Sequence, residues 1–442
     1  MCIRDRLLVV PQPRDRDLRF AFLAELADAV LPYVEEFADV TEPEADVCAD
    51  APQVIVPSAA GVEYVRLLGR SMRFRRTAEE DPETPHPAPP RVPLLGRWLT
   101  HFGERSRVPG SSLLLAMTQV LGRHWATGQS VLEDQHLGAL LAWIDPPAGA
   151  TGAEAALRAE LERGPDGLLV HPPAGPATDP VFDNKLLAPA VARYDRARTA
   201  LLEAEPHRFA SARAELAAAE GAIRELLAAQ LRPTWDAVWR GLDLLRALPE
   251  GAHVAERWRR DRWSYTAHRD RVRAGEPPQP RRDDAVTAAR KLATRETAQA
   301  QLDAHEALDD PLVMAERRLA GEAFAGPVTE VLMEYTEAKV PRPRPLVTVR
   351  TEDTPHLTAG TRLHRARPDG RPQPGEFVAY DGAGGLVVRL TGGMGRGKVP
   401  EPGSVPAPGD VVCWTLFEHA PRGGPELPDP EETPWTLSLI HI

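Results

Sequence analysis

Two short apolar runs near the start, residues 7–10 and 53–56, end at Pro11 and Pro57. Each precedes apolar positions mostly three and four apart: Phe20, Leu23, Leu26, Val30 and Val34 after the first, and Val62, Val65 and Leu68 after the second. That spacing is what one apolar helix face requires, so residues 7–75 predict a β-α-β-α opening with very short strands. Over residues 76–92 (RTAEEDPETPHPAPPRV) the periodicity disappears, and prolines and acids predict a solvated linker or long loop. Helical spacing returns from Pro93 to Trp143. Ser111 and Ser112 are placed to cap a helix through Leu113, Leu114, Met117, Val120 and Leu121. A second helix carries Leu132, Leu137, Leu140, Leu141 and Trp143, and Asp145-Pro146-Pro147 stops it. A Pro/Gly/Asp-rich connection over 164–183 closes this helical block, which spans 93–183.

Residues 184–340 carry the strongest helical pattern. Leu187, Val191, Tyr194, Ala197 and Leu201 advance by three and four, as do Leu216, Ala219, Ile223, Leu227 and Leu231. Long antiparallel helices, as a bundle or a stalk, are expected to about Glu337, with breaks at Pro206, Pro233, Pro277–Pro280 and Pro311. At 341–345 (PRPRP) the pattern changes. Runs at 346–349, 360–363, 376–380, 386–390 and 411–417, several rich in β-branched residues, are separated by Gly, Pro and Asp. About five strands in so short a stretch predict a small antiparallel β-barrel over 345–418. Residues 419–436 are acidic and rich in Pro and Gly, and they predict an extended connection. The expected fold class is therefore α+β, mainly helical, with a small C-terminal barrel.

Composition adds three constraints. The net charge of -11 argues against a general polyanion binder while leaving local patches open. Cys48 and Cys413 are far apart and form neither a disulfide framework nor a zinc spacing, which suits a reducing cytoplasm. No apolar run is long enough to span a membrane. Lysine occurs only at Lys185, Lys291, Lys339 and Lys398, so nearly all of the 53 basic residues are arginine. Together with 45 prolines this looks like GC-rich codon usage, and each arginine cluster is discounted accordingly. The end strings MCIRDR and LSLIHI resemble translations of a transposase mosaic-end sequence in its two orientations. Residues 1–6 and 437–442 are accordingly expected to be tag residues that pack poorly, flanking a piece of a longer protein.

Few constellations carry chemistry. Residues 392–398 (GGMGRGK) fit the GxxxxGK phosphate-loop spacing, but Val399 stands where Ser or Thr should hold magnesium, and Pro400 and Pro402 oppose the helix that should follow. A Gly-rich hairpin fits better. Residues 256–273 (ERWRRDRWSYTAHRDRVR) set seven arginines against three carboxylates with aromatics interleaved. Basic side chains track a phosphate backbone while aromatics stack on unpaired bases, so Arg257, Trp258, Arg259, Arg260, Arg262, Trp263, Arg269, Arg271 and Arg273 are candidate contacts for single-stranded nucleic acid. The competing reading is a helix with Trp258, Arg262 and Tyr265 facing the core. Asp303, His305, Glu306, Asp309 and Asp310 lack the second histidine of a metal-binding helix, and Asp309-Asp310-Pro311 reads as a helix stop followed by a new N-cap. Ser111-Ser112 has no G-x-S-x-G frame. His124 beside Trp125, and His136 near Glu133 and Asp134, read as surface positions.

No catalytic residue, metal or cofactor is thereby assigned. The order of long helices, basic-aromatic segment and small barrel over residues 185–418 is similar in layout to superfamily-one helicases, whose stalk helices and barrel precede the motor's phosphate loop. That resemblance implies a non-catalytic part of a nucleic-acid-processing protein. The alternative is a helical scaffold whose barrel binds another protein. An enzyme with its site in residues 7–183 is the third possibility, and no constellation there supports it.

Overall fold

Burying the apolar stripes of the first 282 residues requires helices packed on one another, and that is what forms. The computed structural model describes residues 2–3, 6–40, 42, 46–130, 135–173, 178–382 and 384–421. Residues 422–436 of the acidic connection expected over 419–436, residues 437–442, and Leu132, Glu133 and Asp134 lie outside them. The chain divides into two compact units, Met1–Arg107 with Ser111–Glu250 and Val254–Arg282, and Val108–Gly110 with Gly251–His253 and Asp283–Ile442.

The first unit opens with a minimal ribbon in which β1 (Cys2–Ile3) pairs antiparallel with β2 (Arg6–Leu7). Asp15 then caps α1 (Arg16–Glu36), its carboxylate accepting from the Leu18 amide at 2.9 Å. β3 (Val54–Val56) runs into α2 (Ala59–Met72), and α3 (Val92–Arg105) leads to β4 (Leu114–Ala116), which lies parallel to β3. The helix expected from Ser111 thus begins later, as α4 (Met117–His124). A short apolar run is ambiguous between strand and buried helix, and here the Val54 amide donating to the Leu113 carbonyl at 3.0 Å decides it. α2 and α3 touch backbone to backbone at Gly96, where a Cβ would lie 2.4 Å from the Arg73 nitrogen. Between them, residues 76–92 fold back: the Ala88 amide donates to the Arg76 carbonyl, and Ala88 itself is buried in the main core.

α5 (Leu137–Ile144) and α6 (Gly152–Leu161) follow. α7 (Pro180–Phe182) passes through one π-helical turn into α8 (Ala188–Leu202). α9 (Phe209–Arg246) runs unbroken through Pro233, against the expected break. Packing on both sides accounts for this. Before the proline, Ala219 and Ile223 pack with Tyr194 and Ala197 of α8. After it, Val238, Leu242 and Leu245 pack on the cluster of Met117, Leu121, Leu140 and Leu141. Two separate cores outweigh the roughly 3 kcal/mol that an internal proline costs. α10 (Val254–Arg273) completes the unit.

The second unit contains α11 (Ala285–Asp309), α12 (Pro311–Leu319) and a closed six-stranded antiparallel barrel. As read from the sequence, Asp310 ends one helix and caps the next, accepting from the Leu312 amide at 2.8 Å. The barrel strands are β5 (Ala323–Leu332), β6 (Leu346–Arg350), β7 (Arg362–Ala366), β8 (Pro372–Tyr380), β9 (Gly385–Leu390) and β10 (Val411–Thr415), in the order β10-β5-β6-β9-β8-β7. The protein is α+β, with its barrel beginning at 323 rather than 345. β5 falls in a stretch read as helical because its inward positions are Phe324, Gly326 and Val328, and the central one has no side chain to mark the alternation. Glycine is required there: a Cβ on Gly326 would meet the Arg350 carbonyl oxygen at 1.8 Å. Phe324, Val347, Leu363, Val388, Leu390 and Trp414 fill the interior, each 0 % exposed. Burying each such side chain contributes about 1.5–3 kcal/mol. Among the described residues no helix is long and apolar enough to cross a membrane.

Candidate nucleic-acid interface

The basic-aromatic segment forms α10, and a helix divides its side chains by period. Positions 258, 261, 262, 265, 268 and 269 turn inward. Tyr265 is fully buried and donates to the Val34 carbonyl at 2.5 Å. Trp258 packs against the main core and donates to Asp50 at 3.1 Å. Arg262 pairs with Glu42 and donates to the Ala49 carbonyl at 3.0 Å. Arg269, 6 % exposed, donates to the Ala38 carbonyl at 2.8 Å and to the Cys48 sulfur at 3.0 Å. The Cys48 amide donates to the Thr266 hydroxyl at 3.0 Å. These bonds have one physical purpose. Among the described residues between α1 and β3, the carbonyls of Ala38 and Ala49 and the amide of Cys48 find their partners in side chains of α10. Arg262 and Arg269 are therefore fasteners of that segment rather than solvent-facing contacts.

Asp261 occupies the centre of the same face. It is fully buried and accepts from Arg105 at 2.8 Å, from the Ser111 hydroxyl at 2.7 Å and from the Ser112 amide at 2.6 Å. Ser111 and Ser112 thus anchor the approach to β4 instead of capping a helix. His268 stacks on His101 of α3 beside Trp98. Burial, then repulsion from Arg271 and Arg97, pushes the His268 imidazole down to about 3. Burial likewise holds His101 well below the usual histidine range, with His268, Arg105 and Arg271 adding repulsion.

The exposed positions of the helix are Val254, Ala255, Glu256, Arg259, Trp263, Ala267, Asp270, Arg271 and Arg273. Trp263 is 51 % exposed, and Arg259, four residues earlier, lies beside it on the helix surface. Arg271 donates to the Ala267 carbonyl, while Arg273 is exposed but paired with Asp39 at 2.6 Å. Arg257 and Arg260 are half-buried and engaged in contacts. Of the nine candidate contacts, the helix brings Arg259, Trp263 and Arg271 together on an accessible face and directs Trp258, Arg262 and Arg269 inward.

The glycine string behaves differently from either reading of it. β9 pairs with β6 and β8, and β10 with β5 and β7, so the chain between them crosses the barrel instead of turning a hairpin. Met394 is inserted into the barrel core at 3 % exposure. The Gly393 carbonyl accepts from Arg367 at 2.9 Å, and the Ser404 carbonyl accepts from Gln373 at 2.8 Å and Arg365 at 3.1 Å. No helix follows among the described residues to 421, so the backbone amides of this string have no phosphate-facing helix end there.

In the second unit His253 bonds Asp309 at 2.8 Å and stacks on His305 at 4.4 Å, while His136 in the first unit caps α5 by accepting from the Ala139 amide. Among the described residues no three His, Cys, Asp or Glu side chains gather as a metal site. A second basic-aromatic cluster escaped the sequence reading: Arg70, Arg73 and Arg75 around Phe74. The same alternation of arginine and aromatic that marked α10 was its signal. No protein-family model, curated protein or solved structure matches the chain.

Proposed function

We propose that this chain is a non-catalytic part of a nucleic-acid-processing protein, and that its helical unit holds single-stranded nucleic acid through the outward face of α10. Trp263 carries the reading. A tryptophan left half exposed on a helix whose other large aromatics are turned to the core is a platform for an unpaired base, and Arg259 and Arg271 flank it on the same stripe. With so few cations the binding is weak and nonspecific, in the usual range of about 10⁻⁴–10⁻⁶ M. The free thiols of Cys48 and Cys413 suit a cytoplasmic setting.

The test is tryptophan fluorescence during titration with a single-stranded oligonucleotide at low salt. Quenching is expected, with its extent reduced in Trp263→Phe and its affinity falling with salt at about −0.7 in log–log slope per phosphate contact. Full quenching in Trp263→Phe, or no quenching in the unaltered chain, would defeat the proposal. A second reading, a scaffold whose barrel docks a protein, is supported by apolar side chains on the barrel exterior, with Leu332 and Tyr380 each 55 % and Val411 76 % exposed.

A further inference from the structure

At the C-terminal end of α2 the chain places Arg70, Ser71, Arg73, Phe74 and Arg75 around an open pocket of about 590 Å³, and Arg281 enters it from the segment after α10. Phe74 organises the cluster. The guanidinium carbon of Arg73 lies 4.7 Å from its ring centroid and that of Arg281 lies 5.2 Å away. Arg75 reaches over Phe20 at 5.9 Å. Arg73 is only 5 % exposed, and its Nε and Nη2 donate to the carbonyls of Gln279 at 2.9 Å and Pro280 at 3.1 Å.

What the pocket arginines lack, among the described residues, is a carboxylate in ion-pair contact. Arg66 and Arg76, flanking it in the sequence, pair with Glu63 and Asp81. Among the described residues none of the four pocket arginines pairs with a carboxylate, in a chain holding 64 acidic residues. Burial and repulsion from Arg70 lower the pKa of Arg73, Glu104 opposes this, and Arg281 adds further repulsion. The C-terminal end of α2 offsets some of this charge, since a helix end favours cations within its last turn. That covers Arg70 and Arg73 but not Arg75 or Arg281, which lie beyond the helix.

We infer that this pocket binds a ligand carrying two neighbouring phosphate groups. Guanidinium forks match phosphate oxygens bidentately, and stacking on Phe74 limits the rotamer freedom that binding would otherwise remove. A single carboxylate would neutralise one arginine and leave three in mutual repulsion, whereas two phosphates balance the set. The shared chemistry fits two sources, a free diphosphate or consecutive phosphates of a nucleic-acid strand. The assignment uses neither Arg259 nor Trp263 and stands apart from the α10 proposal.

The experiment is calorimetric titration of the full chain with inorganic pyrophosphate at low salt. It is run on the unaltered protein, on Arg75→Ala/Arg281→Ala, and on Trp263→Phe. Arg75 and Arg281 are exposed, so the double variant should keep its far-UV circular dichroism. Pyrophosphate is expected to bind the unaltered protein and Trp263→Phe alike, with Kd raised at least about tenfold in the double arginine variant. Displacement of pyrophosphate by a nucleoside diphosphate but not by an oligonucleotide identifies the free ligand, and displacement by the oligonucleotide identifies the strand. Absence of binding, an unchanged Kd in the folded double variant, or displacement by neither competitor overturns the assignment.

Discussion

The imidazole rings of His101 and His268 lie face to face inside the helical unit, with centroids 4.3 Å apart and planes within 4°. The charges nearest them are the arginines at 97, 105 and 271, so a proton on either ring would be buried among cations.

The pair makes stability pH-dependent in a definite direction. Both rings are neutral when folded, while an unfolded histidine takes up a proton near pH 6.5. The stability of the neutral pair is therefore fully present above about pH 6.5 and is lost as pH falls toward the folded value near 3 of His268. At pH 5 His268 favours the unfolded chain by about 2 kcal/mol, and His101 acts in the same direction. Thermal melts between pH 7 and pH 4 should show a smaller drop in Tm for His268→Phe than for the unaltered chain. Parallel curves would remove the pair as the source.

Asp261→Ala should destabilise the helical unit by about 3 kcal/mol, because it strands the Arg105 charge and the Ser112 amide together. Asp261→Asn retains an acceptor and should cost less. Urea denaturation of the two variants checks the order, and equal losses would contradict it.

Met394 and Lys398 separate structure from ligand binding in the glycine string. Met394→Ala should cost about 2–5 kcal/mol, as truncation of a core side chain does. Lys398→Ala, exposed, should leave stability unchanged, and titration with ATP and magnesium should give no heat attributable to this loop. Binding of ATP abolished by Lys398→Ala would restore the phosphate-loop reading.

Gly326→Ala should disrupt the barrel, since the new methyl meets backbone and not a movable side chain. A loss at or above the top of the about 1–3 kcal/mol range for overpacking is expected. The readout is the near-ultraviolet circular dichroism of the buried Trp414 during denaturation, and a wild-type midpoint would refute the packing argument.

Periodicity made most of the fold legible. The apolar spacing on α8 and α9 identified their contact face, and β-branched runs located most barrel strands. It failed where a fold-determining position carries no apolar side chain, as at Gly326, and where two distant cores hold a helix through a proline, as at Pro233. Sequence also marked α10 as basic and aromatic but could not say which arginines face inward. That depends on the carbonyls of Ala38 and Ala49, distant in sequence, which accept from Arg269 and Arg262. The alternation of arginine and phenylalanine over residues 70–75 was legible, but Arg281 was not, because it joins them only through the chain's return after α10.

The register of the barrel seam sets how it responds to load. Ala323, where the chain enters the barrel, lies directly opposite Thr415, where it leaves. Tension drawn through these two ends acts across the β5–β10 rungs one at a time, rather than along all of them together. On its other side β10 meets β7 at the single pairing of Thr415 with His364. A pull through these ends is therefore expected to unzip the seam from the Ala323–Thr415 end, with the Thr415–His364 pairing to β7 among the first to break.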